Sequence, residues 1–96
     1  MASKETKSTF KGVRSMFLAG EVTKMRDIED LDPTNIAKSL GINHSRYIQK
    51  LYNPREFTFK HIWNLANLLE IDVQLIIEVI IKEMNLVKPS KKRLKP

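Results

Sequence analysis

Cysteine is absent from this 96-residue chain, which excludes disulfides, thiolate metal sites and cysteine nucleophiles. A chain without thiols suits a reducing compartment, and the cytoplasm is the expected location. Long hydrophobic runs are also missing. The longest, from Leu75 to Ile81, is interrupted by Glu78 and falls far short of the roughly 20 residues that span a bilayer. The opening segment MASKETKSTF has no apolar stretch, so neither a signal peptide nor membrane contact is expected. Glycine occurs only at positions 12, 20 and 41 and builds no phosphate-cradling loop. The two histidines, His44 and His61, are far apart and have no evident carboxylate partner, so no metal and no cofactor is expected. No nucleophile–base pair stands out, and no carboxylate falls in an apolar stripe. Both absences argue against an enzyme.

What is present is enough apolar material for one small core. Apolar residues make up 42% of the chain, too many for a wholly disordered segment, and the length accommodates a single domain. Net charge is +6, and its placement is uneven. Across residues 33–60, Lys38, Arg46, Lys50, Arg55 and Lys60 outweigh Glu56 and leave +4. Residues 21–32 carry −3 and residues 70–83 carry −3, while the segment 88–96 adds five cations and no acid. Basic charge gathered on one segment is the electrostatic footprint of a polyanion binder.

Periodicity and capping residues predict an all-α chain of five helices, with one further short helical piece after the first. The first would start after an N-cap at Thr9 and run to about Ala19, with Phe10, Val13, Met16 and Phe17 as its stripe and Gly20 as its stop. Val22, Met25, Ile28 and Leu31 recur every third residue and suggest a short helix over 24–30 capped by Thr23. Asp32 and Pro33 read as N-cap and first residue of a helix over 33–40 that buries Ile36, Ala37 and Leu40. Asn43 caps the next, which reaches about Tyr52 before the Asn53-Pro54 breaker. Thr58 caps a helix over 59–69, with Phe59, Ile62, Trp63, Ala66 and Leu69 expected inside. Asp72 caps the last, from Val73 to about Asn85, on the stripe Val73, Ile76, Ile77, Ile80 and Met84. Leu75 and Val79 fall off that stripe, which marks a helix buried on several faces or one that meets a partner. The domain is thus expected over 9–87, between a disordered arm, 1–8, and a flexible basic tail, 88–96.

Two of these helices meet at Gly41, with Ala37 four residues before it and a polar run, His44 to Lys50, after it. A polar helix held by a short turn against a partner helix suits insertion into a DNA groove. The segment IAKSLGINHSRYIQKL, followed by FTFKHIWNLANLLEID, resembles the lambda-repressor-like (XRE-type) helix-turn-helix family of bacterial and phage regulators over about residues 10–84. The resemblance implies a compact five-helix DNA-binding domain and a transcriptional, repressor-like role on double-stranded DNA. It implies base contacts from His44, Ser45 and Gln49, with Asn43 at the margin, and places Asn53, Arg55 and Lys60 on phosphate. Lys38 joins the phosphate set from the preceding helix. Arg46 and Lys50 would read guanine or hold phosphate. A glutamine amide at Gln49 can pair with adenine through two hydrogen bonds.

Either Tyr47 or Ile48 anchors the recognition helix, and the choice rotates its outer face. One such module buries only about 600–1,000 Å² on DNA, so a homodimer is expected, with the helix over 73–85 as its surface. A protein-interaction module, or an antitoxin-like regulator on the same scaffold, is the alternative. The polar face of 43–50 argues against an obligate protein interface there, since such surfaces are depleted in lysine. The 88–96 segment is either an arm along DNA or a solvated tail.

Overall fold

In the computed structural model, which describes residues 8–86, the helix boundaries follow the capping residues. The expected arm up to residue 7 and the expected tail, 88–96, lie outside the described residues, as does residue 87. Five helices form in order: α1 (Ser8–Leu18), α2 (Pro33–Leu40), α3 (His44–Tyr52), α4 (Phe59–Leu69) and α5 (Val73–Glu83). Single 3-10 turns at Met25–Ile28 and Pro54–Glu56 complete them, and no strand occurs among the described residues. Three caps are made as the sequence predicts. Asn43 Oδ1 accepts from the Arg46 amide at 2.8 Å, Thr58 Oγ1 from His61 at 3.1 Å, and Asp72 Oδ1 from Gln74 at 2.9 Å. Each satisfies one of the amides that a helix start leaves without a partner.

Other expectations are corrected. α1 already includes Ser8, so Thr9 lies inside the helix instead of capping it. The helix expected over 24–30 is one 3-10 turn. Its cap is the Asp27 carboxylate reaching back, which accepts from the Thr23 amide and hydroxyl at 3.0 Å each and from the Lys24 amide at 3.1 Å. Those donors, led by the Thr23 amide, hold the Asp27 carboxyl below its ordinary range. Asp32 precedes α2 but does not cap it. Its backbone is left-handed, φ 50°, and its carboxylate takes the Asn35 side-chain amide at 3.0 and 3.1 Å.

The first 3-10 turn is tied to the far end of the chain. The Met25 amide donates to Glu83 Oε1 at 2.8 Å, and Arg26 Nη1 stands 3.9 Å from Glu83 Oε2. One half-buried carboxylate on α5 therefore fixes the turn that packs on α3. The core is a single cluster drawn from all five helices and the first 3-10 turn. It holds Phe10, Val13 and Phe17 of α1, Met25 and Ile28 of the turn, Ile36, Ala37 and Leu40 of α2, and Tyr47 and Leu51 of α3. Phe57 joins Leu65, Ala66 and Leu69 of α4 and Ile76 and Ile80 of α5.

α4 is rotated from its expected orientation. Phe59 is 62% exposed and Trp63 49% exposed, while Leu65 is fully buried. The helix carries two overlapping apolar rows, and α1, α2 and α5 close on the one through Ile62, Leu65 and Leu69. Along α5, Ile76 and Ile80 are buried, and Val73, Leu75, Ile77, Val79 and Met84 are half-buried. The helix thus spreads its burial over more than one face. It ends at Glu83, short of Asn85. Among the described residues no helix is long and apolar enough to cross a membrane.

Candidate nucleic-acid interface

Gly41 sets the angle of the α2–α3 corner through its backbone. It sits at φ 77°, and an added Cβ would meet nothing within 4 Å, so the requirement is conformational and not spatial. The Gly41 amide donates to Lys38 at 3.0 Å and the Ile42 amide to Ala37 at 3.1 Å, closing α2 and turning the chain into α3.

Burial settles the phase of α3. Tyr47 and Leu51 are fully buried, and Ile48 is only half-buried, so Tyr47 is the anchor. With one residue every 100°, Ser45, Gln49 and Tyr52 then share the outward stripe, flanked by Arg46 and Asn53. All five are exposed. His44 and Asn43 are exposed at the start of the helix, with the Asn43 oxygen committed to its cap. Lys38 on α2, Arg55 on the second 3-10 turn and Lys60 in the first turn of α4 are exposed cations. Lys50 differs from these. It is half-buried, and its Nζ donates to the Glu56 carbonyl at 2.8 Å, so any phosphate or guanine must compete with that bond.

Two features of the face were missed in the sequence. Arg46, Gln49 and Lys50 line a shallow polar recess together with Glu56, an acid placed among the cations. Tyr52, 52% exposed, ends the outward stripe. Its hydroxyl donates to Glu29 Oε1 at 2.6 Å, and the Arg26 guanidinium lies 5.6 Å from its ring centroid. Hydrogen bonding to Glu29 pushes its phenol above the ordinary value. The spacing of Ser45, Gln49 and Tyr52 at i, i+4 and i+7 was a signal for Tyr52. Nothing in the local pattern pointed to Glu29.

His61 belongs to the cap of α4, where its Nδ1 accepts from the Thr58 amide at 3.4 Å. Burial first, then the positive charge of Lys50 and Lys60, lowers its pKa below the ordinary value. The neutral ring is the form the fold favours, so stability is complete above the unfolded pKa of about 6.5. It falls as pH drops through that value toward the depressed folded one. His61→Gln keeps an acceptor at the same capping position and is expected to flatten this fall, read as the thermal midpoint between pH 7.5 and 5.5. An unchanged pH dependence would refute the assignment to His61. Among the described residues no group of three or more histidine, aspartate or glutamate side chains is placed to hold a metal.

No protein-family model, curated protein or solved structure matches this chain.

Proposed function

We propose that this chain is a sequence-specific double-stranded DNA-binding regulator of the lambda-repressor-like helix-turn-helix kind, acting in the cytoplasm without catalysis. In this reading α3 enters the major groove. The observation that supports it is the phase of α3: a buried Tyr47–Leu51 row behind an exposed polar stripe of Ser45 and Gln49, beside Arg46. Ser45 and Gln49, with His44 and Asn43 at the helix start, are the base readers. Arg46 and Lys50 meet guanine or phosphate, and Lys38, Asn53, Arg55 and Lys60 hold the backbone. The groove is read by hydrogen-bonding side chains that reach base edges, and the exposed stripe of α3 carries such side chains at Ser45 and Gln49.

Fluorescence anisotropy with a mixed-sequence duplex across a salt series tests the reading. With Arg46 and Lys50 on phosphate beside Lys38, Arg55 and Lys60, five cations correspond to a log–log slope of about −4.5, roughly a 500-fold loss between 50 and 200 mM salt. No binding at 50 mM salt would overturn it in favour of a protein-interaction or antitoxin-like module. That second reading draws on one observation, the exposed aromatic pair on α4.

A further inference from the structure

An acid stands inside the cationic face beside α3. Glu56 is exposed on the second 3-10 turn and lines a shallow recess of about 240 Å³ with Arg46, Gln49 and Lys50. Among the described residues its carboxylate has no ion-pair partner, although two cations share the recess. Its backbone, in contrast, is held. Lys50 Nζ donates to the Glu56 carbonyl at 2.8 Å, and the Glu56 amide donates to the Asn53 carbonyl at 2.9 Å. Pro54 and Phe57, to either side, are buried. The turn therefore carries Glu56 at a fixed place beside Gln49, the centre of the outward stripe.

An unpaired carboxylate repels phosphate, so on a DNA-facing surface it is matched only by hydrogen-bond donors. An ionised carboxylate accepts and cannot donate. In the major groove the base edge that offers a donor and no acceptor is that of cytosine, through N4. Adenine sets its N7 acceptor beside N6 and suits an amide such as Gln49. Across a C·G pair, guanine O6 and N7 only accept, and a guanidinium only donates. Glu56 and Arg46, lining one recess, thus have the chemistry of the two edges of one C·G pair.

We infer that Glu56 is a specificity-determining residue that accepts from cytosine N4, while Arg46 donates to the guanine of the same pair. This role rests on the DNA-binding reading and specifies the operator: a C·G pair stands next to the pair that Gln49 reads. Arg46 thereby takes guanine instead of phosphate. Lys38, Lys50, Arg55 and Lys60 remain on the backbone, and four cations correspond to a salt slope of about −3.6.

Selection of an operator from random duplexes with the full chain tests this, followed by anisotropy titrations on duplexes changed at single pairs. The expected operator has a C·G pair, beside the pair that Gln49→Ala relaxes, whose replacement weakens binding roughly 5- to 150-fold. Glu56→Ala is expected to erase that preference while binding mixed DNA more tightly, with helicity unchanged. Arg46→Ala is expected to erase the preference at the same pair. Glu56→Gln, which brings a donor where only acceptors stood, is expected to admit adenine there. Should Glu56→Ala lose helicity, the glutamine variant decides alone. Tighter binding of every duplex alike by Glu56→Ala, with all base preferences intact, would overturn the role and leave the acid as a repellent of phosphate. An operator without that C·G pair would also overturn it, as would a uniform loss on all duplexes from Arg46→Ala. Failure of the unaltered chain to bind any duplex at 50 mM salt is a separate result, which overturns the DNA-binding reading itself and the role of Glu56 with it.

Discussion

Tyr47→Ala is expected to cost about 3–5 kcal/mol of folding stability, whereas Tyr47→Phe is expected to gain about 1 kcal/mol. Tyr47 is fully buried and is the largest of the completely enclosed side chains. Truncating it opens a cavity between α2, α3 and the first 3-10 turn, the elements that pack around α3. For a domain of this length the whole stability is on the order of 5–15 kcal/mol, so the alanine variant would stand near its unfolding transition. The hydroxyl has the opposite effect. It is buried with no hydrogen-bond partner, and burial pushes the phenol far above its ordinary pKa. An unpaired buried hydroxyl is destabilising by about 1–3 kcal/mol, which phenylalanine removes at nearly constant shape. Urea unfolding followed by circular dichroism measures both, and the midpoints should move in opposite directions at similar slope. A clear loss with phenylalanine would mean that the hydroxyl has a partner and that the corner is packed differently.

The same residue shows where sequence reasoning runs out. Both Tyr47 and Ile48 follow the Gly41 turn at spacings compatible with an inward row, and propensity cannot choose between neighbours 100° apart. The decision belongs to tertiary packing: α2 and the first 3-10 turn close on α3, and the Tyr47 ring is left fully enclosed. Helix limits were legible because caps are local chemistry: Asn43, Thr58 and Asp72 each reach an amide two or three residues on. Asp32 was misread for the mirror reason. Its position before Pro33 is right, but a left-handed backbone, φ 50°, directs the carboxylate to the Asn35 side chain.

On α4 the expected inner face was Phe59, Ile62, Trp63, Ala66 and Leu69; Ala66 and Leu69 are buried and Ile62 half-buried, while ring size misplaced Phe59 and Trp63 and passed over Leu65. Burial followed the row that α1 and α5 could reach. The exposed cations at 38, 46, 55 and 60 could be read from composition. Contacts that join distant segments could not, and Glu29 with Tyr52 and the Met25 amide with Glu83 are of that kind.

Gln49→Ala and Arg55→Ala are expected to separate specificity from affinity. Tyr47 facing inward puts Gln49 on the opposite side of α3, at the centre of the outward stripe. From there its amide can make two hydrogen bonds to adenine, worth about 1–3 kcal/mol against the wrong base, or roughly 5- to 150-fold at that one position. Once an operator has been selected from random duplexes, the alanine variant should lose this factor on the operator and almost nothing on mixed DNA. Arg55 lies on the second 3-10 turn, outside α3, and in the proposed reading its guanidinium would meet phosphate, a contact that carries no sequence information. Its removal should weaken every duplex alike and reduce the salt slope by about 1. Had Ile48 been the anchor, Gln49 would be turned about 100° away from this position, toward the flank. Anisotropy titrations of both variants on the operator, on a single-base mismatch and on mixed DNA, at two salt concentrations, distinguish the cases. Equal losses from both variants on all three duplexes would assign Gln49 to phosphate, and α3 would then follow the backbone without reading the groove.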